Sequence, residues 1–473
     1  MKKLLAVFIL LLSCFAYAQQ DAPKKYDSIW EGKLNFNATV SLRIVVKIQK
    51  NENGTFSGFL DSPDQGAKDI PATSVTLTED SLKFEIKPLG AEYAGKINKD
   101  SMIVNGVFKQ GMAVIEAKLK KINKVEEARR PQNPVKPYPY NEEEIVFPNE
   151  SANISLAGTL TFPKSNGKYP AVVLITGSGK QDRDETVYNH KPFLVIADYL
   201  TRNGIAVLRF DDRGGGKSTG DHSIATTEDF ATDAAAAVQY LKSRNEIDSK
   251  KIGLIGHSEG GIIAPMTAVN SSDVAFLVLL AGPAVPGKEI LWRQTELILR
   301  SNGMGEEEIT KNVNQAKKAH EIITNSPDSI TAYNKLKEMF DQEFAALSDE
   351  EKQKPEYSAD NFKAQTKVLL SPWFRFFLKY DPQPILENIS VPVLALNGEK
   401  DLQVDPEQNL PVIENSLKNG GNKNFKTIKL PGLNHLFQTT KTGALSEYGQ
   451  NEETFSPDAL KIIGDWIKEV TAN

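Results

Sequence analysis

Cysteine is the scarcest residue of this 473-residue sequence: Cys14 is the only one. It lies in a basic and then apolar start, Met1-Lys2-Lys3 followed by Leu4 to Leu12 and by Ala16-Tyr17-Ala18. That order reads as an export leader, residues 1–18, cleaved after Ala18. Without the leader no cysteine remains, so disulfides, thiolate zinc sites and cysteine nucleophiles are excluded together. Lipidation of Cys14 is the alternative, although Leu-Leu-Ser-Cys matches a lipoprotein acceptor poorly. The apolar run is too short to cross a bilayer. The expected compartment is the periplasm or the exterior, where disulfides are permitted but a large core does not require them.

Clustered positive charge is also missing. The formal net charge is −5, and loss of Lys2 and Lys3 with the leader takes it to about −7. No basic run is longer than short pairs such as Lys120-Lys121 and Arg129-Arg130, which disfavours a nucleic-acid partner. Metal-ligand spacing is lacking too: Asp182, Asp184 and His190 lie near one another, but not in a compact pattern such as H-E-x-x-H, so no metal is expected. Asp211-Asp212-Arg213-Gly214-Gly215-Gly216-Lys217-Ser218 lacks the full phosphate-loop pattern and reads as a structural turn. No cofactor is called for.

What the chain has is enough apolar sequence for packed cores, with 40% hydrophobic and 25% charged residues. It is too long for a single core, which sets an expectation of at least two domains. Residues 26–122 read as a small all-β domain, a barrel or a sandwich, with Leu42, Ile44, Val46 and Ile48 alternating and Asn53-Gly54 supplying a turn. Residues 123–140 hold Pro131, Pro134, Pro137 and Pro139, which favour an extended linker.

From residue 141 to 473 strands and helices alternate, as in a mainly parallel sheet covered on both faces. The buried strands are Ala171 to Ile175, Ile205 to Phe210, Ile252 to Ile255, Phe276 to Leu280 and Val393 to Leu396. The clearest helix, Thr227 to Leu241, begins on acidic residues. At about 283–385 the alternation stops and helical patterns such as Glu289 to Arg300 and Glu306 to Thr324 take over. An insertion there would cap the carboxyl ends of the strands; peripheral packing is the alternative.

The strongest chemical signal is Gly256-His257-Ser258-Glu259-Gly260, which follows a strand directly and opens the apolar helix start Gly261-Ile262-Ile263-Ala264. A sharp strand-to-helix turn needs glycine at its flanks and lifts the serine hydroxyl clear of the sheet. A serine hydroxyl is a weak nucleophile, so it requires a base and a group that fixes the base's tautomer. Of the five histidines, His190 and His222 precede the serine, His257 lies in the turn and points elsewhere, and His320 falls in the helical insertion. His435, in a loop after the strand Phe425 to Leu430, is the expected base. Asp401, just after the strand ending at Leu396, is the expected acid, with Asp405 and Glu399 as rivals. An oxyanion would need two preorganised amides, expected from Glu259 and from Ser178 in the loop Thr176-Gly177-Ser178-Gly179.

Through the G-H-S-E-G turn, the Asp211 to Ser218 turn, Asp401 and His435, the chain resembles the α/β-hydrolase superfamily from about Tyr140 to its end. Thr176-Gly177-Ser178-Gly179, Ser371-Pro372-Trp373 and Leu433-Asn434-His435 make it similar to exported bacterial esterases and serine-aminopeptidase-like hydrolases, several with an N-terminal β domain. The resemblance implies an α/β-hydrolase fold with a helical cap, and hydrolysis of small carboxylic esters through an acyl-enzyme. An exopeptidase or amidase on the same three residues, with a short peptide as substrate, is the second reading. A catalytically silent envelope-binding module is the third. Many lipases carry a histidine before the position of Gly177, and this chain does not.

Overall fold

The computed structural model describes residues 26–35, 41–63, 67–110, 113–125, 129–352 and 357–472; the leader and Cys14 lie outside them. Nine strands form the first sheet: β1 Ser28–Asn35, β2 Ser41–Lys50, β3 Phe56–Ser62, β4 Ala67–Pro71, β5 Ser74–Leu77, β6 Ser81–Ile86, β7 Ala91–Asn98, β8 Ile103–Gln110 and β9 Ala113–Ile122. Their order is β4-β3-β2-β1-β9-β8-β7-β6-β5. Alternation sends Ile44, Val46 and Ile48 inward to meet Trp30, Phe84 and Tyr93 in one core. The sheet curls until its ends approach: Gly58 of β3 lies against Val75 of β5, so closely that a Cβ on Gly58 would stand 2.3 Å from the Val75 side chain. Of the two architectures compatible with the sequence, this is the barrel-like one, because a single sheet buries its own concave face.

The second sheet comprises β10 Asn141–Asn149, β11 Ile154–Phe162, β12 Tyr169–Ile175, β13 Ala206–Phe210, β14 Ile247–His257, β15 Phe276–Leu280, β16 Val393–Gly398 and β17 Phe425–Leu430. It runs β10-β11-β13-β12-β14-β15-β16-β17. The first pairings, β10 with β11 and β11 with β13, are antiparallel, and the rest are parallel. Each face buries an apolar layer. Ala234, Val238, Ile263 and Ile413 from three helices cover one, and Phe193, Ile196, Ile463 and Trp466 from two others cover the opposite one.

The proline-bearing stretch between the sheets is not a free spacer. The Arg130 guanidinium donates to the carbonyls of Tyr188, Gly449 and Asn451 at 2.6 to 2.9 Å. The Gln132 side chain donates to the Phe455 carbonyl and accepts from the Phe455 amide. Prolines lack an amide donor, so side chains rather than backbone dock this segment.

Between β15 and β16 lie the helices Gly287–Ser301, Glu306–Asn325, Ser329–Ala345, Asp349–Lys352, Ala359–Leu369, Pro372–Lys379 and Gln383–Leu386. Leu291, Ile323, Phe374 and Phe377 of this insertion share a core with Ile262 and Met266 of the helix that follows β14. The insertion therefore sits at the carboxyl end of β14 as a cap and is not peripheral.

Two histidines are buried in the neutral form. His190 donates from Nε2 to the Tyr448 carbonyl and accepts at Nδ1 from the Thr454 hydroxyl; burial and nearby Arg130 push it down to about 4. His320 in the cap accepts from the Trp292 indole at 3.0 Å, and burial pushes it down to about 4. Below about pH 6.5 the unfolded chain takes up protons that the folded chain refuses, so stability falls as pH falls from about 6.5 to about 4. Each site is expected to cost on the order of 3 kcal/mol by the lower limit. Urea unfolding at pH 7 and pH 4.5 measures the loss, and replacing His190 by Gln should remove its share only, because His320 and the half-buried His222, both also pushed down to about 4, keep theirs.

Candidate active site

Strand β14 ends at His257 and the helix Gly260–Val269 begins three residues later. Ser258 occupies the turn at φ +53°, a left-handed conformation that a residue with a Cβ holds only when its surroundings impose it. They do: its amide donates to the Leu280 carbonyl at 2.8 Å and its carbonyl accepts from Gly261 at 2.8 Å. A Cβ on Gly256 would lie 1.9 Å from the Gly260 carbonyl oxygen, and one on Gly260 would lie 2.2 Å from that of Ile175. The flanking glycines are thus required by backbone crowding. The Glu259 amide stands at the helix N-terminus, where unpaired donors and the helix dipole favour negative charge.

His435 donates from Nδ1 to Asp401 Oδ2 at 2.7 Å. The other Asp401 oxygen accepts from the amides of Gln403 and Val404 at 2.8 and 2.9 Å, so a buried carboxylate is fixed from both sides. The two rival acids have other partners. Asp405 caps the helix Pro406–Asn419 and binds Arg293 at 2.7 Å, and Glu399 accepts from the Gly432 amide. Asn434 shapes the base loop by accepting from the amides of Leu436 and Gln438. The ring of His257, next in sequence to Ser258, lies 4.8 Å from the His435 ring, which brings the serine turn and the histidine loop together.

The loop after β12 meets the same turn: a Cβ on Gly177 would lie 3.1 Å from that of Ser258. Asp212 grips this loop at both ends, accepting from the Thr176 hydroxyl at 2.8 Å and the Gln181 amide at 2.7 Å. Burial pushes the Asp212 carboxyl well above its usual range. The Gly177 amide is spent on Glu185 at 2.9 Å, leaving the Ser178 amide as the loop's next donor beside the serine. Glu259 is buried, and burial raises its carboxyl. It accepts from Ser178, from the Thr227 hydroxyl at 2.7 Å and from the Trp373 indole of the cap at 2.8 Å. Trp373 is therefore fastened to the residue following Ser258.

Glu185, Asp212 and the side chains of His257 and Glu259 belong to the site without having been singled out for it in the sequence. For Glu185 the signal is the burst of charge Asp182-Arg183-Asp184-Glu185, whereas His257 and Glu259 lie in the serine turn and Asp212 in the Asp211 to Ser218 turn. Asp182, Asp184 and His190 do not converge: Asp184 pairs with Arg209 and Lys191, while His190 faces Thr454 and Tyr448. In the Asp211 to Ser218 turn, Ser218 donates to the Asp211 carbonyl and Arg183 holds the Asp211 carboxylate.

An eight-stranded sheet with its second strand antiparallel, a serine turn after β14, an acid after β16 and a histidine after β17 define an α/β hydrolase. The chain belongs to the family described as serine aminopeptidase, S33, whose profile matches residues 191–439, just over half its length. Esterase EstD of Thermotoga maritima is 29% identical over 284 residues, 59% of this chain and 58% of that protein. The chain thus matches a little over half the length of that relative. An uncharacterized 31.7 kDa protein of Escherichia coli is 23% identical over 259 residues, 54% of this chain and 80% of its own. Among solved structures, Pyrococcus furiosus esterase Pf2001 has a TM-score of 0.42 at 17% identity, covering 74% of this chain and 99% of its own. Est1E of Butyrivibrio proteoclasticus with bound ferulic acid has a TM-score of 0.40 at 20% identity, covering 69% and 98%.

Proposed function

We propose that the chain hydrolyses carboxylic esters of short acyl chains, with Ser258 as nucleophile, His435 as general base and Asp401 as the acid that orients it. The observation that carries this reading is the 2.7 Å contact between His435 Nδ1 and Asp401, in a loop packed against the strained Ser258 turn. Asp401 fixes the tautomer that leaves Nε2 free to accept a proton. Ser258 Oγ attacks the ester carbonyl carbon and its proton passes to His435 Nε2. The amides of Ser178 and Glu259 receive the oxyanion. Collapse expels the alcohol, which takes the proton from His435 and leaves an acyl-Ser258. Water, deprotonated by His435, attacks the acyl carbon, the bond to Ser258 Oγ breaks, and His435 returns the proton to Oγ as the acid leaves. Similarity to Esterase EstD supports the ester as substrate, and the leader-like start supports export to the periplasm or the medium.

Hydrolysis of p-nitrophenyl acetate and butyrate, compared with a panel of aminoacyl anilides, tests the reading. Ester turnover exceeding anilide turnover is expected. Dominant anilide cleavage would assign an exopeptidase or amidase to the same residues. No turnover on either panel would leave the envelope-binding reading.

A further inference from the structure

His257 and Glu185 take no part in the steps above, yet both are buried directly behind them. His257 Nδ1 faces Glu185 Oε1 at 2.8 Å, and its Nε2 faces the backbone carbonyl of His435 at 2.9 Å. A carbonyl only accepts, so Nε2 carries a hydrogen, and the pair shares a further proton between Nδ1 and the carboxylate. The same Glu185 oxygen accepts from the Gly177 amide at 2.9 Å. Pro192, Phe193, Ile196, Leu280, Leu436 and Phe455 wall the pair in. Burial opposes a charge on His257, but the attraction of Glu185 outweighs it and raises the imidazole above its usual range.

The segment that presents Glu185 is built for that purpose. Glu185 is held at φ +52°, a costly conformation for a residue with a Cβ. Its amide donates to the Asp182 carbonyl at 2.9 Å, and the Asp182 carboxylate accepts from the amides of Asp184 and Thr186. Arg183 is anchored on Asp211, and Asp184 on Arg209. Each of the four consecutive charges has its own partner, and the product of that scaffold is one carboxylate aimed at Gly177 and His257.

We infer that the Glu185–His257 pair is the positioning device of the site, a bridge that sets the oxyanion loop at Gly177 and the base loop at His435 on either side of Ser258. It touches neither substrate nor reacting atoms and acts through those two loops. The inference rests on the ester-hydrolase reading. Because both loops serve the transition state, loosening them lowers kcat and leaves KM nearly unchanged.

The two nitrogens of His257 can be tested apart. His257→Asn places an amide where Nδ1 was and loses the His435 carbonyl; His257→Gln places one where Nε2 was and loses Glu185. Glu185→Gln removes the charge at constant volume. Active sites are titrated with a fluorophosphonate so that kcat refers only to folded, reactive protein, and His190→Gln serves as control, a buried histidine of the same segment whose ring bonds Thr454 and Tyr448 and neither loop. All three variants are expected to lose up to about 10²-fold in kcat per titrated site, with KM changed less than about threefold and the same loss on acetate and butyrate, while His190→Gln keeps the wild-type kcat. Wild-type kcat per titrated site in the three variants, with only thermal stability lowered, would overturn the inference, as would a rise in KM at constant kcat. Absence of ester turnover in the wild type would instead remove the reading on which it rests.

Discussion

Replacing Ser258 by Ala should lower kcat for p-nitrophenyl butyrate by about 10⁶-fold, because in the proposed mechanism the serine hydroxyl forms the covalent intermediate. The effect on stability should be small, within about 1 kcal/mol, since the change deletes one oxygen and leaves the backbone hydrogen bond to the Leu280 carbonyl and the left-handed backbone in place. A fall in activity accompanied by unfolding would point instead to a structural serine. Circular dichroism and thermal unfolding alongside the kinetics separate the two.

The second large effect is expected from Asp401→Asn, about 10⁴-fold in kcat. Its direction follows from the hydrogen bonds. One carboxylate oxygen is held by the amides of Gln403 and Val404, so the carbonyl of an asparagine must occupy that side and its NH2 must face His435. The imidazole then accepts at Nδ1 and carries its hydrogen on Nε2, where it cannot take the Ser258 proton. Asp405→Asn should keep kcat within a few-fold of wild type, because Asp405 is engaged with Arg293 and its own helix cap. Reversal of these two outcomes in steady-state kinetics would move the acid to Asp405.

The parts of the site legible in the sequence are those dictated locally. Gly256 and Gly260 announce the turn because backbone crowding around Ser258 is a short-range requirement. Asp401 follows from its position after a strand whose apolar run is easy to read, and His435 from being the one histidine that follows the serine outside the helical insertion. The strands Phe276–Leu280 and Val393–Gly398 are buried throughout, which is why a continuous apolar run located both. β10 escaped notice because it is an edge strand, Asn-Glu-Glu-Glu at its start, whose acidic residues give no apolar pattern.

Glu185, Asp212 and the carboxylate of Glu259 were illegible for a different reason. Each owes its place to partners far away in sequence, 72 residues for Glu185 and His257 and 114 for Glu259 and Trp373. A charged residue in a loop reads as solvated until tertiary structure buries it. Asp182, Asp184 and His190 stand near one another in sequence, but Asp184 pairs with Arg209 and Lys191 while His190 faces Thr454 and Tyr448. His257 reads in the sequence as a turn residue that points elsewhere, and its ring faces Glu185 and the His435 carbonyl.

The most direct test of the account is the site of covalent capture. The protein is treated with a fluorophosphonate until ester turnover ceases, then digested, and the adduct is mapped by mass spectrometry. The account predicts one adduct, on the peptide and residue Ser258, rising in proportion to the turnover lost. Turnover that persists in protein fully labelled at Ser258, or inactivation by an adduct on another residue such as Ser178, would contradict it.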